Sequence, residues 1–579
     1  MSYILNDAAT FADESADGFV AAHHNLVSRV RGGVVRAAAT PPGQVAVVIG
    51  GGSGHYPAFA GLVGPGIAHG AAMGNVFASP SAQHIVAVAR SVASDAGVLL
   101  TYGNYAGDAL NFDQAQDQLR AEGIPCQTVR VTDDICSAPN NEREKRRGIA
   151  GDLAVFRVAG WAAEQGLDLD AVAALTARAN DHTRSIGVAF SGCTLPGAAE
   201  PLFAIPAGQM AVGMGIHGEP GIETVPLPSA RELAELLVDR VLAERPDGLT
   251  SNADRVGVIV NGLGSVKSEE LFLLYGMIAS LLKSADLTIV DPEVGEYATS
   301  FEMAGLSLTI VWLDGDLEAA WRSPAYSPAY RKSTMKLNAT ATPSATDQAT
   351  DSTTIVAASE EAAYAGRRAL KAIQSIRDVI DLQADELGRL DAIAGDGDHG
   401  IGMQRGARAA AKAAAAACSA GAGAGTVLTQ AGEAWGTEAG GTSGALWGLA
   451  LRTVGGRIGD AEKPDVVAVA HAVEAALEAV QHAGKAQVGD KTLVDALTPF
   501  ADRLSELANE GLGLVPAWTA AATAASLAAD ATANLLPRLG RARPHMEKSL
   551  GSPDPGAISL ALAVTAVAAA LDTHDTEEK

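Results

Sequence analysis

Residues 338–354 read NATATPSATDQATDSTT, a stretch with almost no large apolar side chain, and this divides the chain in two. Such composition cannot bury enough surface to hold a fold and reads as linker. The two sides differ in kind. Before it, short β-branched runs at 45–49, 98–102, 256–260 and 308–312 read as buried strands. Helical patterns at 82–94 and 153–165 fall between them. That alternation predicts an α/β domain over residues 1–335 with a largely parallel sheet. After the linker, taken as 336–354, no convincing strand run follows. Residues 357–382, 406–418, 464–482, 515–536 and 557–571 carry helical periodicity and are rich in alanine, the strongest helix former. Residues 355–579 therefore predict an all-α domain, and no solenoid-type repeat is present.

Composition narrows the function classes. Lys and Arg number 42 against 67 Asp and Glu, a formal net charge of −25. A surface so acidic repels phosphate backbones, so neither a nucleic-acid nor an anionic-membrane partner is expected. The cysteines Cys126, Cys136, Cys193 and Cys418 form no C-x-x-C pair and no disulfide framework, which suits a reducing compartment. The first residues lack a signal-peptide pattern, and the apolar run 558–571 is too short to span a bilayer. A soluble, cytoplasmic protein is expected.

Glycine-rich loops follow the strands of the first part, where open α/β sheets bind their ligands. Gly50-Gly51-Gly52-Ser53-Gly54-His55 comes directly after the run at 45–49. It fails the G-x-G-x-x-G dinucleotide fingerprint, and nowhere does the chain carry a phosphate-binding G-x-x-x-x-G-K-[ST] loop. Alone, this loop reads better as an ordinary strand-to-helix turn. Gly103-Asn104-Tyr105-Ala106-Gly107-Asp108 places a carboxylate beyond the next strand, a position that also suits a helix cap. Gly213-Met214-Gly215-Ile216-His217-Gly218-Glu219-Pro220-Gly221 isolates one histidine among glycines that let a substrate approach it. Together, His55, Asp108 and His217 make a polar pocket able to move protons or attack an electrophile.

The sharpest signal lies in the second part. Asp391, Asp396 and Asp398 fall in the run LDAIAGDGDHGIGM, punctuated by glycines. A turn between helices brings such carboxylates together, and converging carboxylates call for a hard divalent cation. A solvated acidic turn is the plain alternative. The EF-hand pattern fails, because His399 follows Asp398. Mg²⁺ goes with phosphate, and loops suited to phosphate recur: Gly440-Gly441-Thr442-Ser443-Gly444, Gly484-Lys485-Ala486, Gly489-Asp490-Lys491-Thr492-Leu493, Gly540-Arg541-Ala542-Arg543 and Asp554-Pro555-Gly556-Ala557. Each alone suits a helix cap. Together they suggest a nucleotide at one end of a bundle.

These motifs, in this order, resemble the single-chain, ATP-dependent dihydroxyacetone kinases. GGGSGH, GNYAGD and GMGIHGEPG resemble the ketose-binding domain of that family; LDAIAGDGDHG, GGTSG, GDKT and SPDPGA resemble its nucleotide-binding domain. The resemblance implies an α/β ketose-binding domain followed by a closed barrel of antiparallel helices. It implies that His217 bonds covalently to the ketone as a hemiaminal, that Asp108 accepts the hydroxyl proton, and that His55 hydrogen-bonds and activates the substrate. Gly52, Ser53, Gly54 and Gly103 would line the ketose. Asp391, Asp396 and Asp398 would hold Mg²⁺. His399, Gly400, Ile401, Gly402, Thr442, Ser443, Gly484, Leu493, Arg541, Asp554, Pro555 and Gly556 would hold ATP. A homodimer is also implied.

The chain departs from the family's usual pattern in three places. Tyr56 and Phe59 stand where GGGSGHEPAHAG has Glu and its second His, Gly103 stands where KNYTGD has Lys, and the segment after Gly540-Arg541-Ala542 differs. The missing lysine leaves room for a ketose of four carbons, such as erythrulose, beside or in place of dihydroxyacetone. The competing readings are a phosphoprotein-relay kinase, a fatty-acid kinase, a ketose sensor without catalysis, and an FAD-cyclising side activity.

Overall fold

The computed structural model describes residues 4–219, 221–247, 249, 254–333, 357–539 and 547–575. The expected linker at 336–354 and Arg541 lie outside them. The chain divides into two compact units, Met1–Ala339 and Thr340–Lys579.

In the first unit, β1 (Val27–Val30), β2 (Gly33–Arg36), β3 (Ala46–Ser53), β4 (Gly70–Val76), β5 (Val98–Gly103) and β6 (Cys126–Val131) form one sheet in the order β1-β2-β4-β3-β5-β6. Its centre is parallel: β3 runs with β4 and β5, and β5 with β6. Successive side chains of a strand face opposite ways. Val47 and Ile49 accordingly join a core with Val155 and Phe156 of α4 (Asp152–Glu164). Ala46 and Val48 join another with Ile85 of α2 (Ala82–Val92) and Phe112 of α3 (Ala106–Ala121). Burial on both faces is why β3 reads as an unbroken apolar run. Helix α1 (Phe11–Ala22) precedes the sheet and α5 (Leu169–Asp181) follows α4.

A second sheet holds β7 (Thr183–Ala189), β8 (Gln209–Val212), β9 (Glu223–Pro226), β10 (Arg255–Gly262), β11 (Thr288–Ile289), β12 (Glu293–Gly295) and β13 (Gly305–Trp312). Helices α6 (Ala230–Ala243) and α7 (Ser268–Ser284) pack on it, and α8 (Gly315–Arg322) follows β13. Here the expectation of a largely parallel sheet needs correcting. The pairs β10–β13, β13–β7, β7–β8 and β8–β9 are all antiparallel. A buried strand carries the same apolar run in either direction, so composition does not reveal its sense.

The second unit is all helix among the described residues: α9 (Glu360–Asp391), α10 (His399–Ser419), α11 (Ala424–Ala439), α12 (Gly441–Ile458), α13 (Val466–Gly484), α14 (Val494–Asn509), α15 (Leu514–Ala531) and α16 (Pro555–Asp575). Each packs on the next, and α16 returns to α9, which closes the ring into a barrel. Alanines at 407, 410, 411, 414 and 417 set one face of α10 into the core. An apolar cavity of about 230 Å³ lies inside, bordered by Ile373, Trp447, Leu497 and Phe500 among others. Periodicity alone missed α11, α12 and α14. Glycines interrupt the first two, and they sit where backbones touch: a Cβ on Gly432 would stand 2.7 Å from the carbonyl oxygen of Gly448. Pro499 lies inside α14.

The length of the last helix also needs correcting. The run judged too short to span a bilayer belongs to a 21-residue helix, and residues Pro555–Asp572 are long and apolar enough to cross one. In the structure that helix packs between α15 and α9, with half of the segment buried in the barrel. Its apolarity is explained by burial among other helices.

Candidate active site

His217 lies on the loop after β8, and its side chain is 22% exposed, so a small molecule can reach it. Glu219 holds its far side. One carboxylate oxygen lies 3.0 Å from His217 Nδ1, and the other accepts the His217 backbone N–H at 2.5 Å. This doubling back needs the glycine at 215, where a Cβ would lie 2.1 Å from Glu219 Oε2. Arg147 approaches the same carboxylate at 3.8 Å and binds Asp134 and the Gly213 carbonyl. Burial pushes the Glu219 carboxyl up, but the bond to His217, its charge and that of Arg147 together hold it below the ordinary carboxylate value.

His55, just beyond β3, is fully buried. Its Nδ1 lies 2.7 Å from the Thr299 carbonyl, and its Nε2 lies 2.9 Å from His217 Nε2. A carbonyl only accepts, so the bond pattern puts hydrogen on His55 Nδ1 and leaves Nε2 as an acceptor. By the same logic His217 donates from Nδ1 to Glu219. The 2.9 Å contact between the two Nε2 atoms needs a third hydrogen, which falls to His217, so that ring carries hydrogen on both nitrogens beside the Glu219 carboxylate. Burial, and next the neighbouring His217, push His55 down to about 3, against the opposing pull of the Thr299 carbonyl and Glu219. Phe77 stacks on His55 at 4.8 Å, and Tyr105 meets the His217 ring edge-on at 4.7 Å.

Asp108 stands in the first turn of α3 and is 9% exposed. Burial raises its carboxyl to about 6, opposed by a Ser79 bond and the His217 charge. Its Oδ1 has no hydrogen-bond partner. The expected substrate-lining positions are less alike. Ser53 donates its hydroxyl to the Gly74 carbonyl at 2.7 Å. Gly52 and Gly54 lie against Phe77, and Gly103 ends β5 beside Gly148 and Asp152. The first unit thus brings His55, His217 and Asp108 into one neighbourhood, as the sequence predicts.

The second unit gathers the other set. Asp391 ends α9 and Asp398 precedes α10, so the turn between these helices carries all three aspartates. Their oxygens lie within 4.8 Å of one another, and Asp391 also accepts the Gly397 N–H at 2.9 Å. Three hard oxygen donors so close fit a divalent cation such as Mg²⁺. They border a cleft of about 550 Å³ that is also lined by His399, Gly402, Thr442, Ser443, Gly484, Leu493, Asp554, Pro555 and Gly556. Helix α12 begins at Gly441, so its open N–H groups and two hydroxyls sit at the cleft.

Two expected residues are placed differently. Gly400 and Ile401 do not line the cleft: Gly400 packs on the Ala384 carbonyl, and Ile401 is 59% exposed. A helix turns about 100° per residue, so His399 and Gly402 face the cleft while the two between them do not. What Gly400 and Ile401 can offer is backbone N–H in the open first turn of α10. His399 bonds Ser559 at 3.0 Å, and burial lowers it against the pull of Asp391 and Pro555. Asp554 caps α16 through the Ala557 N–H at 2.7 Å and is raised to about 7, chiefly by burial.

Two residues at these sites, Glu219 and Thr299, were given no role in the sequence reading, and Lys491 entered it only as part of an expected phosphate loop. Glu219 had a signal, a carboxylate two residues after His217 in the same glycine turn. Thr299 had none, since it acts through its carbonyl and lies 244 residues from His55. Lys491 is buried, donating to the carbonyls of Leu535 and Ser549 at the edge of the cleft.

Comparison with known proteins joins the two halves. Residues 17–329 match the Dak1 domain and residues 393–569 the DAK2 domain. The chain is 57% identical to an L-erythrulose kinase of Pectobacterium atrosepticum, over all of this chain and 98% of that protein. It is 50% identical to a D-erythrulose kinase of Mycolicibacterium smegmatis, over 98% of each. A crystal structure of the dihydroxyacetone kinase of C. freundii, in complex with AMP-PNP and Mg²⁺, superposes with a TM-score of 0.59 at 28% identity, covering 98% of this chain and 99% of that one. The chain therefore belongs to the family that joins a Dak1 and a DAK2 domain, the single-chain dihydroxyacetone kinases, and is a phosphotransferase with an alcohol group as acceptor.

Proposed function

We propose that this protein phosphorylates a terminal hydroxyl of a short ketose, erythrulose foremost, with ATP as donor, and that His217 holds the ketose as a covalent hemiaminal. The observation that carries the reading is the His55–His217–Glu219 chain, which fixes where the ring hydrogens lie and aims one Nε2 at the other.

The proton inventory of capture closes on these residues. The hydrogen between the two Nε2 atoms passes to His55, which frees the lone pair of His217 Nε2. That nitrogen attacks the ketone carbon, the C=O π pair moves onto oxygen, and the hydrogen passes from His55 to that oxygen. The product is an N-alkylated imidazole ring bearing a carbinol, with the charge unchanged, and Glu219 beside Nδ1 stabilises the ring cation. His55 suits the relay because burial prevents it from keeping the proton. A polyol has no carbonyl to capture, so glycerol is excluded by chemistry rather than by size.

Asp108, raised toward neutral pH by its burial, accepts the proton of the attacking hydroxyl. In the second unit, Asp391, Asp396 and Asp398 would hold Mg²⁺. The N–H groups opening α10 and α12, with Thr442, Ser443 and the Asp554 turn, would seat the nucleotide. The cation, when bound, offsets the charge of the phosphates. Among the competing readings, a non-catalytic sensor has no use for Asp108 or for the three aspartates.

The test is a panel of dihydroxyacetone, both erythrulose enantiomers, glycerol and FAD with Mg-ATP. We expect turnover with the ketoses and none with glycerol. With 2-¹³C-labelled ketose, the carbonyl signal should move to the tetrahedral-carbon region in wild type and stay put in His217→Ala. A carbonyl signal unmoved by wild-type protein would overturn the covalent step.

A further inference from the structure

Asp152 has no part in the capture or transfer chemistry. It is 2% exposed, and its Oδ1 has no hydrogen-bond partner. Buried polar atoms in folded proteins are nearly always paired, so a lone one needs a reason. Capping is not the reason. Asp152 opens α4, but Asp133 already takes the N–H groups of Ile149 and Gly151 just before it. Ion pairing is not the reason either. Burial raises the Asp152 carboxyl well above its ordinary value, and the nearby charges of Asp133 and Asp108 raise it further. Burial and its acidic neighbours thus favour the protonated form, which has an O–H to donate and oxygens to accept.

Its surroundings place it at the ketose site. Asp152 and Asp108 are close enough for their charges to interact, and Tyr105, whose ring meets His217, feels Asp152 as well. Tyr105 Oη and Asp108 Oδ1 are also buried without partners, so three unsatisfied polar atoms belong to one neighbourhood. Backbone alone borders the acid on one side. A Cβ on Gly103 would stand 3.3 Å from Asp152 Oδ2, and a Cβ on Gly148 would stand 2.9 Å from Oδ1. Any side chain at either position would cover the carboxyl. Two glycines leave only backbone packed against it there.

We propose that Asp152 is a specificity-determining residue of the ketose site, whose carboxyl pairs with the hydroxyl that a four-carbon ketose carries and a three-carbon ketose lacks. A hydroxyl both donates and accepts, which is the complement of a neutral acid. Dihydroxyacetone leaves Asp152 unpaired, whereas erythrulose satisfies it. This inference rests on the ketose-kinase reading above and deepens it.

The test compares kcat/KM for erythrulose and dihydroxyacetone, at saturating Mg-ATP, in wild type and in Asp152→Leu, Asp152→Asn and Gly103→Ala. Wild type should favour erythrulose. Asp152→Leu should lower the erythrulose to dihydroxyacetone ratio by about tenfold or more, since a site that leaves a substrate hydroxyl unpaired rejects it. Asp152→Asn keeps a donor and an acceptor and should hold the ratio within about threefold. Gly103→Ala covers the acid and should lower the ratio in the same direction, which decides the matter if Asp152→Leu does not fold. An unchanged ratio in Gly103→Ala or in a folded Asp152→Leu, or loss of the preference in Asp152→Asn as well, overturns the proposal. If wild type turned over neither ketose, the ketose-kinase reading itself would be at fault, so the two failures are distinct.

Discussion

Replacing Glu219 by glutamine isolates the orientation of the nucleophile. The change keeps volume and removes charge. In the native site the two carboxylate oxygens take two donors, His217 Nδ1–H at 3.0 Å and the His217 backbone N–H at 2.5 Å. An amide has one oxygen. If that oxygen keeps the shorter backbone bond, the amide N–H₂ faces Nδ1–H, which loses both its acceptor and the negative charge that steadies the ring cation. If it turns instead to Nδ1, the backbone N–H loses its partner. Either way one charge-assisted bond is lost, worth about 1.5–3 kcal/mol, or roughly 10- to 100-fold in rate at 1.36 kcal/mol per decade. The Arg147 guanidinium, 3.8 Å away, is left without this counter-charge but keeps Asp134. We expect kcat/KM for the ketose to fall by about that factor, with the KM for ATP unchanged and the ¹³C signal of captured ketose diminished. Glu219→Gln with kcat/KM within twofold of wild type would refute the reasoning, because the His217 ring would then be held and its charge balanced by something other than this carboxylate.

The remaining predictions concern Asp108 and the cation site. Asp108 is raised to about 6 and accepts a proton only when ionised, so kcat/KM for the ketose should decline about tenfold per unit as pH falls below that value. Should a pH–rate profile stay flat down to pH 5, the base assignment is wrong. Asp396→Ala removes one of three converging carboxylates and should weaken Mg-dependent nucleotide binding by at least about tenfold, read by calorimetric titration, while ¹³C-detected ketose capture persists. Equal affinity for Mg-nucleotide in the variant would dismiss the aspartate turn as the cation site.

The sequence disclosed these sites unevenly, for physical reasons. Motifs confined to one turn were readable. Asp391, Asp396 and Asp398 converge because only a short glycine-punctuated turn separates them, so proximity in sequence became proximity in space. The barrel was harder. Its closure depends on α11 and α12, whose glycines lower helix propensity but allow Gly432 and Gly448 to approach. Long-range partners were not readable at all. The Thr299 carbonyl fixes the tautomer of His55 although nothing about a threonine 244 residues away marks it. Asp152 had no signal either, since an acid at a helix start reads as a favourable dipole partner. Only its burial, and Asp133's prior claim on the nearby N–H groups, show that it is spare.

The proposed capture and phosphoryl transfer ask opposite things of their titrating groups, and burial answers both. His55 has to release the hydrogen it receives, and burial lowers its proton affinity. Asp108 has to take a hydrogen, and burial raises its own. Desolvation always disfavours the charged form, which is the protonated one for an imidazole and the deprotonated one for a carboxyl. Desolvation therefore suits each group to its proposed part, and at His55 the ring of Phe77, stacked at 4.8 Å, contributes to it. Phe77→Ala, which strips the ring from His55, should raise the proton affinity of His55 and slow its release of the hydrogen to the carbonyl oxygen. In ¹H–¹⁵N spectra of the imidazoles, the His55 titration should then move up from about 3. If it stays where it is while capture slows, the stacked ring positions the histidine without setting its charge, and the account of the relay by desolvation fails.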